Sequence, residues 1–476
     1  MLFNSLDFAI FLPIVFILYW FVFNKTVRLQ NLLLVLASYV FYSWWDWRFL
    51  FLILFSTLVD YTVGVALANQ EKKQSRKLLL GVSIAVNLGL LGFFKYFNFF
   101  LDSFVQAFSF FGMEVSTTAI EIILPVGISF YTFQTLSYTI DVYRRKLTPT
   151  KDFIAFTAFI SFFPQLVAGP IERATNFLPQ FFRKRVFKKD QAIIGVKQII
   201  WGLFKKLVIA DTCALYSDEI FDNYQEYSSA TLILGVFYFA VRIYGDFSGY
   251  SDIAIGTARL FDFKLSVNFR YPFFSRNIAD YWRRWHISLS SWFRDYVFIP
   301  LGGSREGRFT TIKNVMIVFL LSGFWHGASW NFVMWGLVCG ILYVLFSLKS
   351  KKKHSFDDVN PNRLPTLRAF IEMGLVFSCM AFTRVLFRTT SMAEAIGYYK
   401  QVAQFTFSID YLGIYRYAFE IIPLILILFW WEWYNRNKEF PLFSAKPELL
   451  KTMLVVLLIV VFGNFEDVKQ FYYFRF

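Results

Sequence analysis

The sequence predicts an all-α polytopic membrane protein of about 10–12 transmembrane or re-entrant helices, and three observations carry that fold class. Hydrophobic residues fill 57% of the 476 positions, while Asp, Glu, Lys and Arg fill 17%, against roughly 25% in ordinary soluble domains. Aromatic side chains reach 22%, with 63 Phe, 26 Tyr and 14 Trp. The apolar residues are gathered into bilayer-sized runs, without the strict alternation of a β-barrel. A soluble chain of this length needs more polar surface than these residues can supply, which excludes a cytosolic globular enzyme. Disordered and coiled-coil chains are excluded too, being polar and poor in aromatics.

A bilayer core of roughly 30 Å takes about 20 mostly apolar residues as helix. The first five runs are Phe8–Phe23, Leu29–Trp45, Phe49–Leu67, Leu78–Phe94 and Ile122–Ile140. Asp7 precedes the first, with no Lys or Arg before it, so it lacks the basic region of a cleavable signal peptide. Lys25 and Arg28 follow the first run, and Lys72, Lys73, Arg76 and Lys77 follow the third. Arg144, Arg145, Lys146 and Lys151 follow the fifth. Residues 99–121 and 214–228, read as connections, carry acids and no Lys or Arg. The positive-inside rule then puts the N-terminus outside and the odd-numbered connections in the cytoplasm.

Phe153–Gly169 is next, and its continuation Phe163–Arg173 holds Pro164 and Pro170, the mark of a re-entrant or unwound segment. Ala192–Ala210, Ser229–Ala254, Asn314–Leu348, Met373–Phe387, Ile421–Trp431 and Thr452–Asn464 complete the series. No internal repeat or flexible linker separates domains, so residues 1–476 read as one membrane domain. The polar stretches 171–190, 262–313 and 349–369 are basic and expected on the cytoplasmic side. Lys and Arg total 48 against 33 acids, a net charge of +15. Because the positives recur in short clusters between apolar runs, they read as topology rather than as affinity for nucleic acid. Cys213, Cys339 and Cys379 lie far apart, without the spacing of a disulfide framework or a metal site.

The three histidines can be weighed singly. Asn314–Leu348 holds no Asp, Glu, Lys or Arg in 35 residues, yet carries His326. A straight helix that long would measure about 52 Å and overshoot the bilayer, so it must bend or break. Gly323 and Gly327 bracket the histidine, which places the break there. An ionisable group at such depth faces a bundle interior or a water-filled cavity. The bland alternative is a neutral histidine bonded between helices.

His286 stands in Tyr281-Trp282-Arg283-Arg284-Trp285-His286, continuing to Trp292, Arg294 and Asp295. Helical spacing puts Trp282, Trp285 and His286 on one face and Arg283, Arg284 and Arg294 largely on others. That is an amphipathic helix at the cytoplasmic boundary, serving either as an interfacial anchor or as a site with cations toward phosphate. His354 lies in the basic Lys351–Ser355 loop and reads as solvated. Arg242 and Asp246 are spaced to pair inside the bundle, while Asp252 has no obvious partner and could orient a histidine.

Taken together, Phe163–Arg173, Asp246–Gly256, Tyr281–Gly303 and Ser322–Trp330 resemble the membrane-bound O-acyltransferase family, specifically its bacterial alginate O-acetylase branch. Met1–Trp20 and Ser43–Asp46 are similar to that branch as well, whereas residues 349–476 add little. The resemblance implies a helical bundle around a central tunnel, with His326 as the catalytic residue and His286 at the second motif position. It implies acetyl transfer from a cytoplasmic thioester donor, acetyl-CoA or an acyl carrier, with no permanently bound cofactor. The acetyl group would pass outward across a bacterial plasma (inner) membrane, among membrane lipids, to a periplasmic SGNH-type acetyltransferase partner acting on an alginate-like polysaccharide.

Acyl transfer to a hydroxyl needs a base of near-neutral pKa, which suits His326. His286 would position the donor or polarise its carbonyl. Arg283, Arg284 and Arg294 are the candidate donor-phosphate contacts. Asp246, Asp252, Trp325, Trp285 and Asn331 are the expected supporting residues. D-alanyl or other acyl transfer to teichoic acid, lipid or protein is the alternative within the same chemistry. Broken helices also suit a transporter or flippase, but the two halves lack a matching pair of interrupted segments. A plain membrane scaffold leaves the deep His326 without a purpose.

Overall fold

The computed structural model describes residues 1–113, 122–167, 169–347, 364–408, 417–444, 446, 448–465 and 470–472. His354 therefore lies outside the described residues. Every regular element among those described is helical. Among the described residues, four helices are long and apolar enough to cross a bilayer: Trp47–Ala68, Lys73–Phe110, Ser229–Leu260 and Leu367–Arg388. The chain is an all-α polytopic membrane protein. It folds as two compact units, one holding Met1–Lys189 and Thr257–Ser266, the other Asp190–Gly256 and Val267–Tyr472.

In the first unit, helix α1 (Leu6–Ile17) starts where Ser5 Oγ accepts the Phe8 amide, and α2 (Val27–Ser43) where Thr26 Oγ1 accepts that of Leu29. Helices α3 (Leu50–Ala68) and α4 (Lys73–Leu91) follow, and α4 runs through a wide π turn, Gly92–Tyr96, into α5 (Phe97–Phe110). Next come α6 (Ile128–Tyr143), α7 (Phe153–Ser161) capped by Asp152, and two single turns, α8 (Phe163–Leu166) and α9 (Ala174–Phe177). Residues 169–173, ahead of α9, lie outside any helix, and Pro170 stands among them. Polar side chains knit α3, α4 and α6. The buried Asp60 carboxylate accepts from Ser83 Oγ (2.5 Å), Asn87 Nδ2 (2.8 Å) and Thr139 Oγ1 (3.0 Å). Such bonds hold helices together where lipid offers no hydrophobic drive.

The second unit begins with α10 (Lys189–Leu203), which passes through a seven-residue π segment, Phe204–Ala210, into α11 (Asp211–Asp222). Helix α12 (Ser229–Leu260) packs on this arm through glycine, since a methyl on Gly249 would lie 2.8 Å from the Gly202 carbonyl. Then follow α13 (Ile278–Arg284), α14 (Ile287–Phe293), α15 (Arg308–His326) and α16 (Trp330–Ser347). Helices α17 (Leu367–Thr383), α18 (Val385–Arg388) and α19 (Met392–Val402) precede two apolar helices, Tyr417–Tyr434 and Leu449–Phe462.

Two expectations need correction. Residues 97–110 and 211–222, read in part as connections from their acids, are helical. Acidic residues without bases mark a side of the membrane but do not break a helix, so loop charge alone misplaces the ends.

Candidate active site

His286 sits in a break that the helical spacing does not reveal. Asn277 caps α13 by accepting the Asp280 amide at 2.9 Å, and a buried Asp280–Arg284 pair at 3.1 Å closes its last turn. Trp285 is extended (φ −100°, ψ 125°), and His286 is left-handed (φ 45°, ψ 56°) before α14 begins. Trp282, Trp285 and His286 thus share no continuous helical face, contrary to expectation. A left-handed non-glycine residue is held only where its surroundings over-determine it.

Asn268 is what holds it. Its Oδ1 accepts from the Ser288 amide (3.2 Å), from Ser288 Oγ (3.0 Å) and from His286 Nδ1 (3.0 Å), while its main-chain carbonyl accepts from the Ile287 amide (2.9 Å). The amide of Ser288 can only donate, so the bonded atom of Asn268 is its oxygen and His286 Nδ1 carries the proton. Nε2 is then a bare lone pair, buried without a hydrogen-bond partner. Burial pushes the imidazole pKa down to about 3, because a low-dielectric interior disfavours the charged form.

His326 is the last residue of α15, and the chain breaks at residues 327–329 before α16, where the long uncharged run must break. The two glycines do different work from that expected. Gly327 is plainly extended (φ −165°), and Gly323 lies within α15. A methyl on Gly323 would strike the Phe332 carbonyl and sit 3.0 Å from Gly336 Cα, so its role is close approach of α15 and α16 rather than bending. The rings of Trp325 (5.1 Å), Trp335 (5.1 Å) and Phe387 (5.4 Å) surround the imidazole, which is 4% exposed. Trp330, the first residue of α16, is 55% exposed.

Both histidines line one cavity of ≈ 400 Å³, with Trp285, Arg283, Arg294 and Ser322 among its walls. That volume suits a small-molecule substrate or the reactive arm of a larger one. The Trp325 ring neighbours both imidazoles, 5.1 Å from that of His326 and 6.0 Å from that of His286.

A sequence profile of the membrane-bound O-acyltransferase family matches residues 145–352. The chain is 38% identical to the probable alginate O-acetylase of Pseudomonas putida, across 85% of this chain and 81% of that protein. It is 34% identical to the peptidoglycan O-acetyltransferase of Helicobacter pylori, across 83% and 78%. The chain belongs to the membrane-bound O-acyltransferase family. A more distant relative, 29% identical across 54% and 67%, is the teichoic acid D-alanyltransferase of Bacillus subtilis.

As a membrane O-acyltransferase, the protein takes an acyl donor as a substrate. Among the described residues no group of three or more His, Cys, Asp or Glu side chains could hold a metal ion. Several expected site residues of this acyltransferase stand behind the cavity instead of on it. Arg284 is buried in its pair with Asp280, so it does not face a phosphate, whereas Arg283 and Arg294 are exposed. Asp246 does not pair with Arg242: it binds Lys206 (2.8 Å) and accepts the Tyr472 amide (2.7 Å), while Arg242 binds Asp218 (2.6 Å). Asp252 does not reach a histidine, being held by Lys205 (2.6 Å) and Gln198 (2.9 Å). Asn331 Nδ2 donates to the Thr389 carbonyl (2.8 Å), tying α16 to the end of α18.

Sequence reasoning missed the supports of both imidazoles. Phe247 meets His286 edge-on at 4.7 Å and is backed by Phe471 at 5.3 Å; Phe387, beside His326, is backed by Tyr472 at 6.3 Å. Asn268 and these rings leave no local signal, since their partners lie 18 to 224 positions away.

Proposed function

We propose that this acyltransferase moves an acetyl group from a cytoplasmic thioester, acetyl-CoA or an acyl carrier, across a bacterial plasma membrane. The acetyl group is destined for O-acetylation of an extracellular, alginate-like polysaccharide, with a periplasmic SGNH-type acetyltransferase as partner. The single observation that carries the chemistry is the pair of buried histidines on one cavity. A hydroxyl oxygen attacks the thioester carbonyl; the C–O bond forms and the C–S bond breaks. His326 takes the hydroxyl proton and returns it to the departing thiolate. His286, with its proton fixed on Nδ1, cannot donate from Nε2 to the donor carbonyl. It can accept a hydrogen bond there from an N–H or O–H of the acyl donor, which makes it a positioning group for the donor and leaves the proton of the attacking hydroxyl to His326. The apolar walls keep bulk water from hydrolysing the thioester. Arg283 and Arg294, exposed beside the cavity, suit an anionic donor.

The acetyl content of extracellular polysaccharide in wild-type and variant strains tests the assignment. His326→Ala should lower transfer by about 10²–10⁴-fold, the usual contribution of a general base. His286→Ala should leave a measurable remainder. Undiminished acetylation in a stably inserted His326→Ala protein overturns the proposal.

A further inference from the structure

Helix α17 ends in a buried cation that no acid answers. Arg384 is 5% exposed and lies within the apolar Leu367–Arg388 segment, yet no carboxylate pairs with it among the described residues. Its neighbours differ: Arg388 binds Asp218 and Asp222, and Arg284 binds Asp280. Nη1 of Arg384 donates to the Met380 carbonyl at 2.9 Å, and Nη2 donates to the Tyr281 hydroxyl. Aromatic faces complete its surroundings, with Trp285 at 4.7 Å, Tyr281 at 5.9 Å and Phe273 at 6.0 Å.

Burying a guanidinium is costly, and a carboxylate is the usual remedy. Stacking on rings offsets part of that cost. What the arrangement holds in place is telling. Trp285 stacks on Tyr281 (5.6 Å, 15°), and it is the extended residue immediately before the left-handed His286. It also forms a wall of the cavity. With its ring packed against both Tyr281 and the guanidinium, which also touch each other, the chain leaves α13 in one direction, and His286 is delivered to Asn268 in one orientation. Lysine would not serve as well, because its ammonium lacks the flat face and the forked donors.

We propose that Arg384 is a positioning residue for acyl transfer, acting through Trp285 to hold His286 in its strained, cavity-facing conformation. This rests on the two-histidine site proposed above. The full-length protein in detergent is the material for the test, with two readouts on Arg384→Met and Arg384→Lys. The first is carbethoxylation of His286 by diethyl pyrocarbonate, measured by peptide mass spectrometry relative to His326. The second is the kinetics of acetyl transfer from the thioester donor.

In Arg384→Met the relative labelling of His286 should rise about fivefold or more, as expected when a pinned residue is released. Its kcat should fall about thirtyfold while the donor KM stays within about twofold, since misplacement costs the chemical step rather than binding. Arg384→Lys should fall between wild type and Arg384→Met. Labelling and kcat both within about twofold of wild type would overturn the proposal, as would a loss confined to KM. If the methionine variant does not fold, the lysine variant decides by the same two criteria. Labelling needs no turnover, so an inactive wild type would sink the functional proposal while leaving this one to be judged by His286 alone.

Discussion

The two helix breaks that carry the histidines are built by opposite means. At residues 284–287 there is no glycine: Trp285 is extended, His286 takes up a left-handed conformation at φ 45°, and one asparagine oxygen accepts three hydrogen bonds to keep it there. At residues 326–330 there is no strained backbone. Instead Gly323 and Gly336 let α15 and α16 touch, and rings surround His326. A polar lock fixes direction and tautomer together, whereas close packing fixes position alone. The difference teaches that His286 is held in one chemical state and His326 in one place, which fits a positioning group beside a group that must exchange a proton.

The largest consequence concerns the lock. Asn268→Ala removes the acceptor that holds the Nδ1 proton and takes away the bond it makes to the Ser288 amide. Removing such an orienting partner typically costs 10–100-fold in activity, so kcat for acetyl transfer should fall about a hundredfold. The donor KM should barely move, because Asn268 is not on the cavity wall. A variant whose kcat stays within about threefold of wild type would show that the lock is idle and that the two breaks are functionally alike.

Packing should answer in stability instead. Gly323→Ala drives a methyl against the Phe332 carbonyl and Gly336, and overpacking of this kind costs about 1–3 kcal/mol. Thermal unfolding in detergent should shift down, with the kcat of the folded fraction close to wild type. If Gly323→Ala instead lowers kcat without changing stability, the α15–α16 contact is part of the chemistry and the contrast fails.

How much of this was legible in the sequence follows the same divide. The break beside His326 shows in the sequence because its cause is local: an uncharged run too long to cross a bilayer as one straight helix. The break at His286 does not, because its cause is Asn268, 18 positions earlier. Helical spacing therefore carried α13 straight through Trp285 and put Arg284 on an outer face, where the structure buries it against Asp280. Pairing by spacing failed in the same way for Arg242 and Asp246, each of which has a partner on another helix. Family motifs brought both histidines to attention, but their tautomer and supports are properties of the fold.

The smallest effect tests the chemical state of His286 directly. Its pKa in the folded protein is about 3, against an ordinary value of 6.5. Between those values the unfolded chain binds a proton that the folded chain refuses. The neutral imidazole therefore adds nothing to the pH dependence above 6.5, and stability is lost as pH falls from there toward 3. One such group gives a slope of about 1.4 kcal/mol per pH unit across that window. Carboxylates titrate in the same range, so the informative quantity is the difference between wild type and His286→Asn. Denaturation in detergent from about pH 4 to 6.5 should show a flatter curve for the variant by up to that slope. Equal slopes would mean that His286 is charged or solvated in the folded protein. Asn268 would then accept from an imidazolium, and the lock would fix direction without fixing charge.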